Sequence, residues 1–158
     1  MEGLGAPFFS GWKIAAKNLL WARDNLRKPA FSALDAWFSK PLLGRNNYSE
    51  MRFATVLSLT HSDGFILYGD PNPLPAMDHL HDWYPFWDKS PGKPAAPMST
   101  RTNGLILREF EHGFAVLNPP ENEVQNIEFG TMLKRASTGT QDRRFSVAPG
   151  DGEIFLKP

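Results

Sequence analysis

Two short apolar runs, Leu105 to Phe110 and Phe114 to Leu117, flank Glu111-His112-Gly113, and this spacing commits the second half of the chain to antiparallel β-structure. Leu105, Leu107, Phe110, Phe114 and Val116 supply the apolar positions. Gly113 offers positive φ for a three-residue turn, and Asn118-Pro119-Pro120 stops the second strand. Further strands are predicted at 124 to 129, 131 to 136, 144 to 148 and 153 to 156, the last two joined as a hairpin through Pro149-Gly150-Asp151-Gly152.

The first half has a different texture. Ser10 is placed to cap a helix in which Trp12, Ala15, Ala16, Leu19 and Leu26 recur at helical spacing, until Lys28-Pro29 stops it. The run from Phe31 to Phe38 reads as a buried strand. Ser49 opens a second helix, apolar on most sides through Met51, Phe53, Ala54, Val56, Leu57 and Leu59, and Phe65 to Tyr68 forms the next strand. Helix, strand, helix, strand is the alternation expected of a parallel sheet with crossover helices. From 71 to 97 prolines alternate with Trp, Tyr, His and Asp, which predicts an ordered loop whose rings are packed or ligand-bound.

Composition narrows the partners. Seventeen basic and seventeen acidic side chains cancel, so no net field draws the chain to nucleic acid or to an anionic membrane. The absence of cysteine excludes disulfides and thiolate metal sites. Neither a signal-peptide pattern nor a membrane span is visible, and no motif asks for a cofactor. Aromatic residues make up 13% of the chain, more than a small core needs, which leaves rings for a ligand.

Four segments taken in order carry a resemblance. They are Met51-Arg52-Phe53-Ala54 through Asp63-Gly64-Phe65-Ile66-Leu67-Tyr68, the loop motif Asp82-Trp83-Tyr84-Pro85-Phe86-Trp87-Asp88, the hairpin Arg108 to Pro119, and Pro149 to Leu156. Together they resemble the C-terminal part of glycoside-hydrolase-like TIM-barrel proteins, of the type called hypothetical glycosyl hydrolase family fifteen. His112 stands where that family usually has Asn, and Pro85-Phe86 where an acidic residue often stands. The resemblance implies α/β units closing a TIM-type barrel over residues 1–97, then an antiparallel, β-sandwich-like module over 98–158. It implies O-glycosyl hydrolysis and a carbohydrate partner, with the earlier part of the barrel expected before Met1. An isolated chain would then bind that missing segment or self-associate.

Parallel α/β sheets gather functional groups at the ends of their strands, and glycoside hydrolysis needs two carboxyl groups about 5–9.5 Å apart. Glu2, Asp35 and Asp70 are the candidates by position, although each also has a structural reading as a terminus or turn residue. Trp37, Trp83, Tyr84 and Trp87 are candidates to stack on sugar rings, and equally to fill the seam between the two halves. Asp78-His79-Leu80-His81-Asp82 invites a metal reading, but no third well-spaced ligand supports it, so no metal is expected. A non-catalytic carbohydrate-binding or interaction module is the alternative to the hydrolase reading, and a small complete enzyme comes third.

Overall fold

A computed structural model describes residues 11–27, 32–37, 48–62, 64–69 and 83–158. Helix α1 (Trp12–Asn25) buries Trp12, Ala15, Ala16, Leu19 and Ala22 on one stripe, as its spacing predicts. Its N-cap is Gly11, with no side-chain cap, and Ser10 lies outside the described residues. Strand β1 (Ala33–Trp37), helix α2 (Ser49–His61) and strand β2 (Phe65–Gly69) follow. Strands β1 and β2 pair in parallel, with Asp35 opposite Leu67 and Trp37 opposite Gly69. A single 3₁₀ turn (Pro85–Asp88) is the one regular element described between β2 and the next strand.

The remaining strands are β3 (Ser99–Thr100), β4 (Ile106–Phe110), β5 (Gly113–Asn118), β6 (Gln125–Arg135), β7 (Gln141–Val147) and β8 (Asp151–Leu156). They form one six-stranded sheet in the order β3-β4-β5-β8-β6-β7, with every neighbouring pair antiparallel. The two strands expected at 124 to 129 and 131 to 136 are one strand, β6, whose register shifts between Glu128 and Leu133. Its partner changes too: the far end of β6 pairs with β8 as well as with β7.

Two local expectations need correction. Gly113 does not adopt positive φ; it is required by space, because a Cβ there would stand 2.1 Å from the Phe155 carbonyl oxygen. The turn is correspondingly tighter, with Phe110 opposite Gly113 and only Glu111 and His112 between. The segment 149 to 152 turns the chain but does not close a hairpin, since β8 enters the sheet between β5 and β6 instead of beside β7. Strand β5 has an open apolar edge that β8 fills, burying Ile154 and Phe155 on opposite faces.

The TIM-type barrel is overturned. Among the described residues there are two α-helices, one parallel pair and a six-stranded antiparallel sheet, so the fold is mainly β. Only α2 crosses between parallel strands, and its broad apolar surface rests on the antiparallel strands β5 and β8 as well as on β1 and β2. A helix apolar all round needs cover on several sides, and the β half supplies that cover here. One core cluster accordingly runs across the boundary at 97 and 98, joining Phe53, Ala54 and Leu57 of α2 to Ile106, Phe110, Leu117 and Ile154. A second cluster occupies the other face of the sheet: Leu105, Leu107, Val116 and Phe155 meet Ile127, Phe129, Leu133, Phe145 and Val147. The β6–β7 ribbon therefore curls over the strands it follows, giving a sandwich-like packing within one continuous sheet.

Candidate functional site

The Trp-Tyr segment is tied to α2 by a short chain of hydrogen bonds. Trp87 Nε1 donates to Thr55 Oγ1 at 2.9 Å, and that hydroxyl donates in turn to the Met51 carbonyl at 2.8 Å. Tyr84 is buried, with its ring edge-on to Trp87 at 4.9 Å, to Tyr48 at 5.9 Å and to Tyr68 at 6.1 Å between centroids. These two side chains fill the seam between the halves. Trp83 does not: it is 72% exposed, edge-on to Trp87 at 5.6 Å, with its indole N–H held by Asp88 at 2.8 Å. An indole held at this angle in solvent presents a flat apolar surface at little cost in lost side-chain freedom.

Two clefts share Phe86 and Lys89 in their walls. One, of about 270 Å³, is walled by Trp83, Trp87, Phe65, Leu59 and Ile66, with Thr55 and Ser90 as polar members. The other, of about 300 Å³, lies between Tyr48, Tyr84, Met51 and Arg52, with Ser137 at its far side. Among the described residues no Asp or Glu lines either cleft. Their sizes suit a ring or two of a small amphipathic ligand.

The carboxylate candidates fare differently. Glu2 and Asp70 lie outside the described residues, as do Asp78, His79, His81 and Asp82. Asp35 lies in the middle of β1, and its Oδ1 is buried without a hydrogen-bond partner among the described residues. Trp37 ends the same strand beside Gly69, so the parallel pairing brings the two strand ends together as adjacent strands should. Among the described residues no three His, Asp or Glu side chains gather as a metal site, and no helix is long and apolar enough to cross a membrane.

Sequence reasoning missed a half-buried charge network between α2 and β8. Arg52 grips Asp151 through both carboxylate oxygens, at 3.0 and 2.6 Å. Two residues on, Glu153 accepts a short hydrogen bond from the Ser137 hydroxyl, accepts from the Ile154 N–H at 3.0 Å and faces Arg135 Nε at 3.6 Å. Burial raises the pKa of Glu153, and these donors and cations only partly oppose it. Asp151 and Glu153 share a small cavity with Arg135, yet each is committed to a partner that holds β8 in place. Arg108, on β4, reaches across to α2. Its guanidinium donates to the carbonyls of Leu59 and Ser62 at 2.9 and 2.8 Å, closing the end of α2, and to Ala96 at 3.3 Å. The Arg at the head of the hairpin motif is therefore a clasp between helix, loop and sheet. The signal that could have found these groups is the alternation of β8, which puts Asp151 and Glu153 on one side of a strand that is otherwise apolar.

Compared with known proteins, the chain matches no family model and no curated sequence.

Proposed function

We propose that the chain contributes sugar contacts to a carbohydrate-active protein of glycoside-hydrolase kind and performs no hydrolysis by itself. The observation that carries this reading is Trp83, a large ring 72% exposed at the wall of an apolar cleft and held in orientation by Asp88. A pyranose lays its C–H face on such a ring and turns its hydroxyls outward, where the exposed Ser90 offers a hydrogen bond. The resemblance of the ordered segments to glycoside-hydrolase-like sequences supports the same ligand class. Turnover is not expected, because hydrolysis needs two carboxyl groups beside the sugar and, among the described residues, neither cleft has one.

The alternative, a binding module that acts with no enzyme, is favoured by the β half, which has a core of its own. Titration with a panel of oligosaccharides, followed by tryptophan fluorescence and calorimetry, tests the sugar reading. Weak binding that falls about tenfold in Trp83→Ala is expected, on a stacking contribution of about 1–1.5 kcal/mol. Binding indifferent to Trp83 would end it. Release of sugar from aryl glycosides by the purified chain, abolished by Asp35→Asn, would replace it with an enzyme.

A further inference from the structure

We propose that the sugar is acidic: a uronic-acid oligosaccharide stacked on Trp83, with its carboxylate taken by Lys89. This rests on the sugar reading above and sharpens it. Phe86 and Lys89 are the residues common to both clefts, so a ligand in either cleft lies beside the lysine. Among the described residues, Lys89 and Arg52 are the charged groups that line the clefts, and both are cations. Arg52 is already forked onto Asp151 and has little charge to give. Asp88, the acid next to Lys89 in sequence, is bonded to the Trp83 indole. Lys89 is exposed and makes no ion pair among the described residues, so its ammonium is left to a ligand. Apolar walls beside a lone cation favour a ligand that is apolar on its faces and anionic at its edge. A uronic acid has that form, with a ring C–H face for Trp83 and a carboxylate in the ring plane for Lys89.

The test compares three oligosaccharides of equal length by calorimetry on the full chain: a galacturonate, a neutral glucan, and a sulfated sugar without carboxylates. At low ionic strength the galacturonate should bind about threefold to fivefold more tightly than the glucan, the scale of one exposed ion pair. The preference should fade in high salt and be lost in Lys89→Gln, while Trp83→Ala weakens both sugars. Equal affinity for the glucan and the galacturonate, or a preference that survives Lys89→Gln, overturns the inference and leaves the sugar reading standing. Tighter binding of the sulfated sugar overturns it as well. Binding of none of the three removes the sugar reading and this inference together.

Discussion

The two faces of the six-stranded sheet are buried by different means. On one face α2 lays Phe53, Val56 and Leu57 over Ala115, Leu117 and Ile154, so helix and sheet from opposite halves of the chain share a core. On the other the sheet covers itself, and Phe129, Phe145 and Phe155 gather with centroid separations of 4.5 to 6.3 Å. Strands β5 and β8, which sit between the two cores, must be apolar on both sides. That is why Ala115-Val116-Leu117 and Ile154-Phe155 are unbroken apolar runs, whereas β7 at the edge alternates only near its end. The difference teaches that the unity of this fold lies in two central strands, with the helical half fastened to one side of them.

The largest expected effect tests whether the two faces melt as one. Phe155→Ala should cost about 3–5 kcal/mol and Leu57→Ala about 2–5 kcal/mol, since both side chains are fully buried. Urea unfolding followed by tryptophan fluorescence and by circular dichroism should give one coincident transition for each variant. Separate transitions would show that the faces are independent units.

The seam itself is probed by glycine. A Cβ at Gly152 would meet the Arg52 carbonyl at 2.6 Å and Val56 Cβ at 2.7 Å, so Gly152→Ala pushes α2 off β8 and should cost about 1–3 kcal/mol. Gly130, on the face without a helix, has nothing within 4 Å of such an atom, and Gly130→Ala should stay within about 0.5 kcal/mol. A similar melting temperature for the two variants would deny the close helix-to-sheet contact.

The faces should also respond oppositely to pH. On the helix side, burial pushes the His61 imidazole down to about 4 from 6.5. The unfolded chain then binds the proton first, so stability falls as pH drops from 6.5 towards 4, by at most about 3 kcal/mol. On the other face the pKa of Glu153 is raised above 4.5 by burial, so its contribution is full below 4.5 and is lost as pH rises through the folded value. Glu153→Gln should therefore be no less stable than the parent at pH 7, with its advantage shrinking towards pH 4.5. Denaturation midpoints across pH 4 to 8 read both trends, and a Gln variant that loses ground at pH 7 would mean that the ionised acid is favoured in the fold.

The smallest stability effect is expected where the functional effect is largest. Trp83→Ala removes a ring that is mostly in solvent and should change stability by less than about 0.5 kcal/mol, while sugar binding falls. A large loss of stability in a thermal melt would make Trp83 a packing residue.

Much of the local structure was legible. The stripe on α1, the apolar surround of α2, the strands β1, β2, β4, β5 and β8, and the place but not the geometry of the turn after Phe110 follow from periodicity and turn residues, because these signals act over a few neighbours. The aromatic segment was legible as an ordered one, but not the division of labour within it. Trp83, Tyr84 and Trp87 are alike in sequence, and only the partner within reach separates them: Thr55 for Trp87, the other tyrosines for Tyr84, solvent for Trp83.

By itself, then, the chain's alternation of apolar and polar residues determined where most helices and strands form. Tertiary structure alone decided that β8 leaves β7 and enters between β5 and β6, that α2 serves an antiparallel sheet rather than a barrel, and that Lys89 stands between two clefts. The reason is physical. Periodicity says which side of an element is apolar, but which surface covers it depends on shape and on vacant backbone hydrogen bonds dozens of residues away.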